Sequence, residues 1–513
     1  MNNLCPFIVF LLYLIYNIYD ILKDGVNMKE KCQELKNYFL EMSKEHYASG
    51  SRLVVANKDE IFFDECYGMS SIERNEETTK ETVYRIASIS KTIAAIGLMQ
   101  LVEAGKVNLD DDLSDIFGFK IRNPKYPDVK ITVRMLTTQT SSILDGYDDE
   151  ELDADIPEKG YNGVNGTNLE CYLKDLLVPN DGPYYTPLTF ADYKPGSGWT
   201  YSNFGCGIMA CVIEKVSGEY FTDYMENHIF KPLGIDASFI AGRVINKDKI
   251  ADMYQCYREN TKTVYNRERF INFRYKLFPL GENYRGPAGG LYINITNLTK
   301  LLQLLLNKGT LNGVKILEEK TVEEMYQMQW FGFSNDTYKG KAIQMKVYDD
   351  PDPNFIFRGH TGGAYGVRSY FFFNLEEKLG ACFITNGFLD HNVSTHAKKM
   401  FDGTLNKVAN LFGKKAIKEV LVTKENIILK ERVINFVSKP IDNCYPLINI
   451  ADSLDILPVV DKEGNLTITK YGKSFTPNFI IKDDIYYVDL DEFLNTLELE
   501  YTKSNDCYKI ITK

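Results

Sequence analysis

Ser88 and Lys91 stand one helical turn apart in "RIASISKTIAAIGLMQLVEAGKV", residues 85–107. On a helix running from about Ile89 to Ala104, positions i and i+3 share a face, so the amine can reach the hydroxyl. A serine is a weak nucleophile until a base takes its proton. Lysine serves as that base only when burial or a neighbouring positive charge draws its pKa down. The small and apolar residues of "ASISKTIAAIG" supply such burial. The Ser88 backbone N–H, unpaired at a helix start, can face a developing oxyanion. Ser-x-x-Lys also arises by chance on solvated helix faces. It occurs once in this chain, and its flanks are not those of an exposed surface.

Two further stretches carry residues suited to the same chemistry. In "PGSGWTYSNFGCGIMACVIEKVSG", Tyr201 and Asn203 sit two apart, after a Gly-rich loop and before an apolar helix. A phenol near a lysine ammonium can carry a proton, and an asparagine amide can bond both Lys91 and a substrate carbonyl. Taken alone, this stretch reads equally as a helix start capped by Ser202 or Asn203. In "FRGHTGGAYGVRSYFFF", His360, Thr361, Gly362 and Gly363 stand at a strand entrance, where glycine lets a ligand approach the backbone closely. The alternative there is a tight turn with a structural histidine.

In this order, "SISK", "YSN" and "HTG" resemble the Ser-x-x-Lys, Tyr-x-Asn and (Lys/His)-(Thr/Ser)-Gly motifs of class C β-lactamases and related penicillin-binding serine hydrolases and esterases. "PAGGLYINITNLTKLLQLLLNKG" looks like a segment of the same family, and the resemblance spans roughly Lys29 to Gly413. It implies an acylated nucleophile at Ser88, with Lys91 and Tyr201 sharing base and acid work. Asn203 would orient Lys91 and the substrate amide. The N–H groups of Ser88 and Gly363 would form an oxyanion hole, and His360 and Thr361 would contact the substrate's polar end. No metal or organic cofactor is required by this chemistry.

Three departures stand out. Class C β-lactamases typically carry lysine where His360 stands, and a histidine is mostly neutral at pH 7. That favours an amide, ester or D-amino-acid peptide substrate over a β-lactam. Arg358 or Arg368 could restore the missing charge, and strand parity does not settle which faces the cleft. In "RMLTTQTSSILDG", Gln139 and Ser142 replace a histidine and a glycine of the family pattern. No Gly-x-Ser-x-Gly elbow occurs, which argues against a Ser-His-Asp hydrolase. A non-catalytic binding module is the other alternative, disfavoured by the intact Ser88, Lys91 and Tyr201.

The elements that must position these residues are legible around them. "MKEKCQELKNYFLEMSKEHY" has Leu35, Tyr38, Phe39 and Met42 at helical spacing, and apolar runs Leu53–Ala56 and Ile61–Phe63 flank a turn. Strand-like runs Arg368–Phe373 and Ala381–Thr385 precede a helical stretch near the end of the same section. Strands at both ends with helices between them predict an α/β (α+β) β-lactamase-like fold. Its antiparallel sheet would be built from both ends and flanked by helices, with a helical lobe inserted.

The remainder bounds function more loosely. The chain has 513 residues and a net charge of -11, a balance that disfavours nucleic-acid binding. Its ten cysteines form no Cys-x-x-Cys and its five histidines no His-x-x-x-His, so neither a zinc ribbon nor a helical zincin is expected. Residues 1–27 include an apolar run, Cys5–Leu22, that reads as an anchor, an atypical signal or an upstream extension before Met28. Membrane association or export is the expectation, with a cytoplasmic protein if translation starts at Met28. The catalytic domain is expected over 28–413 and a linker over 414–424. Beyond it, 425–513 form a small α+β module of two repeats, Asn443–Lys470 and Asp484–Lys513, each strand, helix, hairpin. This module resembles the copper amine oxidase N-terminal-like stalk domain, without a histidine cluster for copper. The expected partners are a small-molecule or peptide substrate and the cell envelope.

Overall fold

A computed structural model describes residues 27–146, 159–165, 167–179, 181–257, 261–273, 276–332, 340–348, 355–413, 418–429, 432–461, 463–470, 473–504 and 507–512. The apolar N-terminal run and residues 414–417 of the expected linker lie outside them.

The elements that build the site are α1 (27–45), β1 (Gly50–Asn57), β2 (Ile61–Ser71), α2 (Ile89–Glu103), α3 (Asn203–Ser217), α4 (Ile295–Leu306), β3 (Phe357–Ala364), β4 (Val367–Asn374), β5 (Leu379–Thr385) and α5 (Val393–Phe412). One antiparallel sheet of nine strands runs Trp330–Phe331, Gly340–Ala342, Met345–Tyr348, β3, β4, β5, β1, β2, Glu76–Glu77. The first long strand of the sheet pairs with its last, Leu53 opposite Phe383 and Val55 opposite Ala381, so the sheet closes from both ends of the 28–413 section as expected.

Both faces of this sheet are buried, which explains its near-continuous apolar strands. Side chains alternate along a strand. Leu53, Val55, Phe372 and Phe383 pack with Leu35 and Phe39 of α1 and Met400 and Leu405 of α5. Val54, Phe371, Cys382 and Ile384 face the other way, onto α2, α4 and the helical lobe. Helix α2 is buried from Ile89 through Met99, including Ser90, Lys91 and Thr92. A helix apolar nearly all round belongs in the middle of a core, and α2 therefore holds its N-terminus rigidly between sheet and lobe.

The C-terminal module has the expected strand–helix–hairpin repeat. Strand Cys444–Pro446 leads into helix Leu447–Ser453, and Ile485–Asp489 into Leu490–Thr496. The two equivalent strands pair antiparallel, Tyr445 opposite Val488. The first helix begins at Leu447, whose buried side chain opens its apolar stripe. Residues Lys418–Val422, read from sequence as linker, form a strand between Asn426–Leu429 and Cys507–Thr512. Its alternation, with Lys418, Val420 and Val422 inward, is a strand pattern short enough to pass for a linker.

The module is packed onto the sheet edge. Met328, Val347 and Ile356 share one hydrophobic cluster with Val420, Leu447, Ile450 and Leu457. Arg358 of β3 forms a buried ion pair with Asp452 of the module. Arg358 therefore does not restore charge to the cleft. Its guanidinium lies over the Tyr326 ring, 4.1 Å from the centroid, far from solvent.

No helix of the described residues is long and apolar enough to cross a membrane. Among the described residues the cysteines are free thiols, and Cys171, Cys206, Cys211, Cys256 and Cys382 are buried.

Candidate active site

The turn into α2 is held in a strained shape. Ala87 adopts φ 52°, a left-handed conformation that costs a non-glycine residue. Its carbonyl accepts from Ser90 Oγ at 2.6 Å, Ser90 Oγ accepts from Leu291 N at 3.1 Å, and Ile86 O accepts from Ser369 Oγ at 3.0 Å. Strand β3 crosses this turn at Gly362. A Cβ there would collide with Ser369 Oγ and lie 2.5 Å from Ile86 O. Glycine at 362 is thus the condition for sheet and nucleophile turn to touch.

Ser88 occupies the N-cap of α2, yet its side chain caps nothing. A serine there would normally accept from the helix's own N–H groups. Instead its Oγ accepts from Lys91 Nζ at 3.0 Å and from Tyr201 OH at 2.6 Å. Lys91 is fully buried. Its other donors go to Asn203 Oδ1 at 2.9 Å and to the carbonyl of Ala288 at 2.8 Å. Desolvation is the main cause that brings the Lys91 pKa down to about 8, with Cys206 and Asp145 opposing it and Arg85 adding to it.

That geometry assigns the amine's valences. Two N–H directions are anchored on fixed oxygens, and the third points at Ser88. When Lys91 loses a proton, the lone pair it gains faces the Ser88 hydroxyl. The Tyr201 ring also lies 4.7 Å from Lys91 Nζ.

Helix α3 positions the second pair. Ser202 is its cap, accepting from Gly205 N at 2.9 Å, so the capping and the chemical readings of "YSN" hold together. Asp145, which sequence reasoning did not single out, organises this corner. It accepts from Asn203 Nδ2 and Phe204 N, each at 2.8 Å, and from Ser202 Oγ at 3.1 Å. Ala288 was likewise missed. Ala288 lies in a stretch quoted above for its likeness to the family, and Asp145 in the one quoted for its departures from the family pattern.

Gly363 and Ser88 both line a cavity of ≈ 460 Å³, together with Asn203, Ala288 and Tyr365. His360 does not. It is 3% exposed, its Nδ1 bonds the Thr361 carbonyl, and its ring stands 6.1 Å from that of Tyr201. Burial, then the charges of Lys341, Lys91 and Lys346, hold its pKa well below the usual histidine range. The neutral imidazole is a supporting wall behind Tyr201, and neither it nor Thr361 is part of the cavity lining. Arg368 is the arginine at this strand end, across the ladder from Gly363. Gln139 and Ser142, the two departures from the family loop, both have positive φ, 60° and 62°. Ser142 thus keeps a glycine-like backbone and accepts from Asn123 Nδ2 at 3.1 Å.

Residues 35–403 match the family model described as Beta-lactamase. Penicillin-binding protein 4* of Bacillus subtilis (strain 168) is 24% identical over 229 residues, covering 43% of this chain and 44% of that protein. The chain thus spans less than half the length of the curated relatives it matches. Among solved structures, the octameric penicillin-binding protein homologue from Pyrococcus abyssi is similar with a TM-score of 0.54 and 18% identity, over 94% of this chain and 99% of that one. The D-amino acid amidase from Ochrobactrum anthropi SV3, complexed with D-phenylalanine, is similar with a TM-score of 0.54 and 19% identity, over 74% and 99%. At such identities these are likenesses of fold. The fold is the β-lactamase-like α/β arrangement, and with the family model matching well over half of its residues, this chain belongs to the β-lactamase family.

Proposed function

We propose that the protein is a serine hydrolase that cleaves an amide or ester through an acyl-enzyme on Ser88. The observation that carries this is the Ser88 hydroxyl held between a buried amine and a phenol, at 3.0 and 2.6 Å, at the wall of a cavity.

In acylation, the Ser88 proton passes to the neutral Lys91 amine as Oγ bonds to the substrate carbonyl carbon. The carbonyl oxygen becomes an oxyanion facing the N–H groups of Ser88 and Gly363. The tetrahedral species then collapses, the C–N or C–O bond breaks, and the leaving group takes a proton from Tyr201, which regains one from Lys91. In deacylation a water attacks the acyl carbon, the same pair takes its proton, and Ser88 leaves with a hydrogen restored.

The neutral, buried His360 supports an amide, D-amino-acid peptide or small ester over a β-lactam. The likeness to an amidase that was solved with D-phenylalanine is consistent with that choice. The repeat module's resemblance to a stalk domain and the apolar run at residues 5–22 support a place at the cell envelope. Assay with p-nitrophenyl esters, D-amino-acid amides, D-Ala-D-Ala peptides and nitrocefin tests the reading. Turnover of an ester or D-amide, lost in Ser88→Ala, is expected. Nitrocefin as the fastest substrate would overturn the substrate choice.

A further inference from the structure

The cavity beside Ser88 is positively charged in a chain whose net charge is -11. Among the described residues, Arg85, Arg269, Lys276 and Arg285 line it against one carboxylate, Glu214. Glu214 is spent elsewhere: it accepts from Phe221 N at 3.0 Å, Gly281 N at 2.7 Å and Asn283 Nδ2 at 3.0 Å. Lys276 has Glu170 at 3.5 Å, and Arg269 is exposed.

Arg85 and Arg285 are different. Arg85 closes the strand that leads into Ser88, its guanidinium 4.7 Å from the Tyr365 ring centroid. Arg285 precedes the segment whose Ala288 carbonyl anchors Lys91. Its guanidinium lies 4.7 Å from the Phe278 ring and 4.9 Å from the Tyr284 ring. Its Nη2 donates to Leu169 O at 3.0 Å. Arg85 Nη1 and Arg285 Nε and Nη1 are buried without a hydrogen-bond partner among the described residues. Neither side chain has a carboxylate in ion-pair range among those residues.

Buried charged donors are costly to leave without acceptors. Arginine's planar fork matches a carboxylate, and the rings that stack on both guanidinia hold the forks in place. We propose that Arg85 and Arg285 form an anion subsite, and that the substrate is an amide or ester bearing a free carboxylate next to an apolar or aromatic group. The placement beside the reacting serine rests on the acyl-enzyme reading; the anion subsite itself does not.

Titration calorimetry at low ionic strength separates the two. The probes are 4-phenylbutyrate and its neutral isostere 4-phenylbutyramide, with the full-length native chain. The carboxylate should bind about tenfold tighter than the amide, as one charge-assisted pair requires. That preference should shrink with added salt, fall to near parity in Arg85→Gln or Arg285→Gln, and return in part in Arg285→Lys. Labelling of Ser88 by a fluorophosphonate, run on the same samples, reports the acyl-enzyme reading separately. Equal affinity for the two probes, or no binding of either, overturns the anion subsite whether or not Ser88 is labelled. The salt dependence of the native protein decides the matter even if a variant fails to fold.

Discussion

Asp145 Oδ2 accepts from Asn203 Nδ2 at 2.8 Å, which leaves Asn203 Oδ1 turned to Lys91 Nζ at 2.9 Å. An asparagine amide has one acceptor end and one donor end, and Asp145 fixes which end the lysine meets. The negative charge of Asp145 also favours the protonated amine.

Asp145→Asn should therefore have two effects. Removing the charge lowers the Lys91 pKa further, so the rising limb of the pH–rate profile moves to lower pH. Loss of the fixed amide orientation lowers kcat by about tenfold or more at the plateau. A pH profile of kcat/KM with an activated ester measures both. A purely structural role would lower activity without moving the limb.

In the native protein that limb should lie near pH 8, where the buried Lys91 amine loses its proton. Below it the base is protonated and kcat/KM falls tenfold per pH unit. Lys91→Ala should cost about a thousandfold in kcat. The neutral His360 should add no step in the range where histidines usually titrate.

Gly362→Ala should damage the nucleophile without touching it. The added methyl meets Ser369 Oγ and the Ile86 carbonyl, both of which fix the turn into Ser88. Either the ladder or the turn must shift, and overpacking of this kind costs about 1–3 kcal/mol. Thermal unfolding and Ser88 labelling should both fall. An unchanged labelling rate would show that the turn does not depend on this contact.

His360→Lys would restore the lysine of class C β-lactamases but should not create one. The new ammonium would be buried beside Lys91, Lys341 and Lys346, whose charges already act on this position. An uncompensated buried charge costs about 3–5 kcal/mol. Lower thermal stability and no gain in nitrocefin turnover are expected.

Asp452→Ala tests the tie between module and sheet. It leaves Arg358 buried, 2% exposed, with its principal counter-charge gone. The expected loss is again about 3–5 kcal/mol. Since Arg358 lies two residues before His360 on β3, the site should loosen with it, which slower Ser88 labelling would report. The smaller change Asp452→Asn should cost less.

Where the candidate site sits on periodic elements, the sequence revealed its geometry. The pairing of β1 with β5, the buried helix α2 and the meeting of Ser88, Lys91, Tyr201 and Asn203 follow from apolar runs and short motifs. Asp145, Ala288, Arg85 and Arg285 carry no such pattern, because each stands in a loop or at a strand end and meets its neighbours only through contacts made by the fold. Arg358 misled for a related reason. Alternation tells which face a strand residue takes, but not whether a neighbouring module covers that face. The burial of His360 was not legible in its motif, because the residues that act on it, Tyr201, Lys341 and Lys346, are distant in sequence.

Intact-mass spectrometry during turnover of a p-nitrophenyl ester reads the covalent intermediate itself. A mass increase equal to the acyl group is expected, mapped by peptide digestion to Ser88, absent in Ser88→Ala and strongly slowed in Lys91→Ala. Turnover without an adduct, or an adduct that persists in Ser88→Ala, would contradict it.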